Sequence, residues 1–184
     1  SDIQFLRLYL QYCLLQSHAG FSPEFNPVQH AWTQMRAEYA AAQEIVRHWQ
    51  RRVTPLPPAN EHAFLALLFM MLRTPDPLND CHHEDQRLQQ AIANMVDRFR
   101  TLAGLHFSDE QGLSAQLYIH LAQALDRNLF GISIDNSRQE EIVRLYPRLV
   151  RTTREALAEL ETEYALRFSD EEAGLVAVIF GAWL

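Results

Sequence analysis

The chain has 184 residues, enough for one large or two small domains, and its 48% hydrophobic content is that of a packed protein rather than a disordered one. All sixteen basic residues are arginine and the formal net charge is −7; residues 77 to 184 set ten arginines against seventeen acids, which argues against a direct nucleic-acid footprint there. Two cysteines are too few for a disulfide framework and no run approaches about eighteen uninterrupted apolar residues, so a soluble, unexported protein of a reducing cytoplasm is expected, with no membrane contact.

The apolar spacing is helical nearly throughout, which predicts an all-α fold. The chain opens without Met, already inside a helical pattern, and ends at AVIFGAWL without a turn residue, so it reads as a piece of something longer. A first helix is expected over IQFLRLYLQYCLLQSH, ended by Gly20. After the loop FSPEFNP, Pro27 suits the first turn of one long helix, VQHAWTQMRAEYAAAQEIVRHWQRR, stopped by Pro55, Pro57 and Pro58. Its end gathers Arg47, His48, Trp49, Arg51 and Arg52, a basic patch better explained by complementing a helix terminus than by contacting nucleic acid. A short apolar helix, NEHAFLALLFMML, is expected to take Asn60 as its cap and to pack Phe64, Phe69, Met70 and Met71 in a core. An apolar groove for a partner is the alternative use of those side chains.

RTPDPLND, residues 73 to 80, has the two prolines and polar composition of an interdomain linker. Beyond it an amphipathic helix runs from His83 to Gly104. SDEQ, residues 108 to 111, has a capping-box pattern with Ser108 at the cap, and it starts the helix that carries His120. The loop FGISIDN precedes a helical stretch from Ser137 to Leu166, interrupted at Pro147, and a second capping box, Ser169 to Glu172, opens the last element.

Two stretches recur. NEHAFLALLFMM resembles DEEAGLVAVIFGA, and LYLQYCLL with its AGF resembles LYIHLAQAL with its FGI, at a common offset of about 110 residues. Two copies of one helical unit are therefore expected: a front-truncated one over residues 1 to 73, a linker over 74 to 80, and a second over 81 to 184.

Within LYIHLAQALDR, His120 and Arg127 are seven residues apart, almost two helical turns, which places them on one face about 10 Å apart along the axis. Such a pair is either a hydrogen-bonded, partly buried imidazole beside a surface arginine, or a phosphate-accepting imidazole with a guanidinium near it.

Leu117, His120, Leu121, Ala124, Leu125 and Arg127 on this helix, Gly131 in the loop, Asn136, Glu140, Glu141, Ile142, Tyr146, Pro147 and Leu149 beyond it, and Ser169 and Glu172 at the last helix follow one pattern in order and spacing. That pattern resembles the PTS regulation domain, the helical module of bacterial antiterminators and transcriptional activators governed by the sugar phosphotransferase system. The resemblance implies tandem helical bundles in a homodimer, with a histidine that accepts a phosphoryl group from the phosphocarrier HPr or an enzyme II B component. It assigns His120 as acceptor and Arg127 as the side chain that stabilises the added phosphate. The family's second histidine would stand seven residues after Glu172, where this chain has Ile179; the first copy has Leu68 at the equivalent position after Glu61, and Tyr9 or Gln11 at the other. His120 alone survives of the four expected. The competing expectation is a phosphate-blind dimerisation scaffold in which His120 is structural.

CHHED, residues 81 to 85, holds possible metal ligands, but adjacent His82 and His83 would diverge by about 100° on a helix and no second ligand pair follows, so no metal is expected. The acids of SDEEAG suit a helix start better than paired catalysis. With no HExxH, Walker loop, GxSxG or CxxC, neither an enzyme nor a cofactor is expected.

Overall fold

A computed structural model describes residues 25–50 and 59–184, with side chains described for 25–47 and 62–184. Every regular element among them is a helix: α1 Pro27–Gln34, α2 Ala37–Gln50, α3 Ala59–Leu72, α4 His83–Ala103, α5 Glu110–Leu129, α6 Gln139–Leu145, α7 Pro147–Glu163 and α8 Asp170–Ala182. The chain divides into two compact units, residues 1–73 and 74–184. The expected first helix, Gly20, and Pro55, Pro57 and Pro58 lie outside the described residues.

In the first unit Pro27 occupies the start of α1, and Asn26 and Gln29 close a reciprocal capping box across it. The single long helix expected from Val28 to Arg52 is broken. The Thr33 hydroxyl takes the His30 carbonyl at 2.9 Å, and the Arg36 N–H closes on the Thr33 carbonyl at 3.1 Å, a tighter turn that ends α1. The break puts Glu38 in the first turn of α2, where it is buried and reached by Arg73 at 3.1 Å and Arg36 at 3.5 Å. Asn60 is not a cap, because α3 already begins at Ala59. Helices α2 and α3 share a core of Ala42, Val46, Leu65 and Ala66, flanked by Leu68 and Phe69. Phe64 stacks on Phe25, and Met70 is buried, so this helix uses its bulky side chains for packing.

Residues 74–80 are tied to the second unit. The Asp80 N–H donates to the Asp76 carbonyl, the Tyr118 hydroxyl donates to the Asp80 carboxylate at 2.7 Å, and the Gln89 amide donates to the Pro77 carbonyl at 3.2 Å. In α4 the buried residues Leu88, Ala91, Ile92, Met95, Val96 and Phe99 recur every three or four positions, forming the stripe that faces α5 and α7. Gly104 ends α4 at φ +63, a left-handed conformation that glycine adopts without strain. Helix α8 is apolar around most of its circumference, and it packs on α5, α6 and α7. Its Phe180 stacks on Phe99 at a centroid distance of 4.1 Å. The break at Pro147 falls as expected, with proline opening α7. Helix α6 has no buried residue.

The cap of α5 is Asp109, not Ser108: the Asp109 carboxylate accepts from the N–H groups of Gln111 and Gly112, while the Ser108 hydroxyl and N–H both donate to the Trp183 carbonyl. The Trp183 indole in turn donates to Gln116 at 2.7 Å, and its ring lies over Gly112, where an added methyl would meet Cη2 at 2.6 Å. Gly112→Ala is therefore expected to displace the Trp183 ring, seen as a moved indole N–H resonance. The net cost is about 1–2 kcal/mol, overpacking being partly offset by the better helix propensity of alanine.

Candidate functional site

The two side chains singled out on α5 meet on a third. His120 Nε2 lies 3.0 Å from Oε2 of Glu172, and Arg127 Nε donates to Oε1 of the same carboxylate at 2.9 Å. The site is largely enclosed: Glu172 is 7% exposed, and the side chains of His120 and Arg127 are 18% and 17% exposed. The separation of almost two turns between His120 and Arg127 lets one carboxylate bridge them from the neighbouring helix.

Glu172 is delivered by the start of α8. The Ser169 hydroxyl caps that helix by accepting from the Glu172 N–H at 3.2 Å, as expected of the capping box. The other half of the box is not made, since the Glu172 carboxylate turns to α5 instead. Burial works against its charged form, but the hydrogen bonds from His120 and Arg127 and the charge of Arg127 prevail and hold its carboxyl below the ordinary value. An ionised carboxylate only accepts hydrogen bonds, so a neutral His120 places its proton on Nε2 and keeps its lone pair on Nδ1. The imidazole is oriented by a buried anion and has a guanidinium within the same cluster, an arrangement suited to receiving and holding an anionic group.

The remaining expected residues are dispersed. Ile179 is half-buried on α8, next to Phe180, and Leu68 packs in the core of the first unit; Tyr9 and Gln11 lie outside the described residues. Cys81, His82 and His83 are exposed, and the Asp85 carboxylate accepts from the His82 N–H. Asp170 pairs with Arg154 at 2.5 Å, whereas Glu172 turns to His120 and Arg127, so the acids at the start of α8 have separate partners. Among the basic patch, Arg47 pairs with Glu44, and the side chains of His48, Trp49, Arg51 and Arg52 lie outside the described ones. No helix among the described residues is long and apolar enough to cross a membrane. The role of Glu172 was missed in the sequence because its partners stand 52 and 45 residues earlier. The only signal was its place in the matched pattern.

Residues 93–183 match the PRD domain family. The chain is 62% identical over 183 residues to the stationary phase-inducible protein CsiE of Escherichia coli (strain K12), which covers 100% of this chain and 43% of that protein. It is 25% identical over 126 residues to the transcriptional regulator ManR of Bacillus subtilis (strain 168), covering 68% of this chain and 19% of the regulator. With a probable licABCH operon regulator of the same organism it shares 24% identity over 151 residues, 79% of this chain and 23% of that protein. The chain thus spans less than half the length of each of these relatives. No solved structure matches it.

Proposed function

This chain belongs to the PRD domain family through residues 93–183, and from that premise we propose that it is the signal-receiving region of a bacterial transcriptional regulator or antiterminator, switched by phosphorylation of His120. The convergence of His120 and Arg127 on one buried carboxylate carries this reading. In the transfer, the imidazole lone pair attacks the phosphorus of a phosphohistidine donor, HPr or an enzyme II B component of the sugar phosphotransferase system, and the donor's N–P bond breaks. The product adds nearly two negative charges beside Glu172. Two anions then compete for Arg127, so the contact between α5 and α8 weakens and the domain can be redistributed between two arrangements.

The proposal extends to organisation. Residues 1–73 are a first PRD-like domain, 74–80 a linker, and 81–184 the second domain, in a cytoplasmic homodimer. Similarity between NEHAFLALLFMM in α3 and DEEAGLVAVIFGA in α8 supports this division. The region is regulatory rather than catalytic, takes no cofactor or metal, and leaves nucleic-acid contact to parts of the protein beyond it.

One observation favours a second reading. His120 Nε2 already has a carboxylate partner, as a structural histidine would. In that case the chain is a phosphate-blind dimerisation scaffold.

Incubation with phosphoenolpyruvate, enzyme I and HPr, with and without enzyme II B components, separates the two. Wild type is expected to gain one acid-labile phosphoryl group by neutral-pH gel and mass spectrometry, and His120→Ala none at an unchanged helix content. Arg127→Ala is expected to lower the phosphorylated fraction. An unlabelled wild type beside a labelled control domain establishes the scaffold.

A further inference from the structure

Beside the Glu172 cluster lies an open cleft of about 520 Å³, contained wholly in the second unit. Its walls are the loop from Gly131 to Ile134 on one side and the approach to α8, Arg167 to Asp170, on the other. Gly131, at φ +67, ends α5 and turns the loop along the cleft. Ala124 also lines it.

The charged lining is asymmetric. Three guanidinium groups, from Arg127, Arg154 and Arg167, face two carboxylates, Asp170 and Glu172. Arg154 is committed: it donates to the Phe168 carbonyl at 3.0 Å and to Asp170 at 2.5 Å. Arg127 is committed only through Nε, which leaves its terminal amino groups without a bond among the described residues. Arg167 is exposed, and its guanidinium has no carboxylate partner among the described residues, although its carbonyl accepts from Asn128. The cleft therefore holds donor capacity that no acid among the described residues satisfies, together with Asn128 and Ser133 as neutral polar groups.

We propose that this cleft binds a small phosphate monoester carrying hydroxyl groups, with its phosphate between Arg167 and the free edge of Arg127. Guanidinium forks match phosphate oxygens in pairs, and the volume suits a small metabolite rather than a peptide. Glu172 holds the Nε edge of Arg127 and the ligand takes its free edge, so two anions sit beside one guanidinium and repel each other across it. Binding in the cleft and the Glu172 bridge to His120 are thus linked, and each weakens the other.

Calorimetric titration of the whole chain tests this, with glycerol 3-phosphate and inorganic phosphate as probes and glycerol and matched chloride as controls. Glycerol 3-phosphate is expected to bind saturably at one site, and glycerol not at all. Arg167→Ala, an exposed and unpaired position whose loss leaves the fold intact, is expected to weaken binding about tenfold or more, the scale of one charge-assisted contact. Arg148→Ala, on the exposed start of α7, should leave it unchanged. Glu172→Gln, measured below its melting temperature, is expected to tighten binding several-fold by removing a negative charge from the cleft lining beside the phosphate. No saturable binding up to about 10 mM, equal binding of glycerol, or an undiminished affinity in Arg167→Ala overturns the site. An unchanged affinity in Glu172→Gln overturns the link. Neither outcome depends on whether His120 accepts a phosphoryl group, since every arm reads binding alone.

Discussion

Glu172→Ala is expected to lower the stability of the second unit by about 3 kcal/mol, the low end for breaking a buried charged network, because His120 and Arg127 keep some contact with water. For a unit of this size each kcal/mol moves the melting temperature by roughly 4 °C, so a fall of about 12 °C should be seen by calorimetry near neutral pH. The pH dependence identifies the cause. The Glu172 carboxyl is held below its ordinary value of 4.5 in the folded protein, so its contribution is fully present above that value and is lost as the pH falls through the lowered one. The stability difference between wild type and Glu172→Gln should therefore narrow in acid, where the wild-type carboxyl is itself protonated. A difference that stays constant down to the acid limit would show that the charge of Glu172 contributes nothing.

Phe180→Ala is expected to act still more strongly. Phe180 is fully buried, stacks on Phe99 of α4 and lies 5.9 Å from the ring of Phe107, so truncation removes an aromatic face shared by three elements of the chain. Loss of such a side chain costs about 3–5 kcal/mol, a third or more of what a domain commonly has in reserve. Urea titration should give a lower midpoint with an unchanged slope; a midpoint shift worth under about 1 kcal/mol would mean that α8 repacks to fill the space. Phe180 adjoins Ile179, which stands where the family places its second histidine. At that point the chain has an apolar side chain beside a tightly packed aromatic one.

Periodicity was a sound guide to the long helices of the second unit, because α4 and α7 bury one stripe each and their residue spacing states it directly. It failed between Val28 and Arg52, where the apolar pattern runs on through Met35 but a threonine hydroxyl and a tight turn interrupt the backbone. Capping was legible to within one residue at α5: Ser108 and Asp109 are both competent caps, and the Trp183 carbonyl, 75 positions away, decides between them by engaging the serine. The candidate site was half legible. His120 and Arg127 share a helix, so local geometry pairs them, but the carboxylate that joins them comes from another helix and no local spacing encodes it. The Arg167 side of the cleft was not legible at all, since an exposed arginine between helices gives no periodic signal.

Helix α6 has seven residues and buries none of them, yet it lies between the His120 helix and α7 in the chain and rests on α8, where Gln139 approaches Gly174, two positions beyond Glu172. So short a helix has little stability of its own and depends on what it leans against. Its amide protons should exchange with solvent long before those of α4 or α8, through openings that leave the rest of the bundle closed. Exchange half-lives in α6 are therefore a clock for the start of α8. They would register a loosening around Glu172 well before any change in melting temperature.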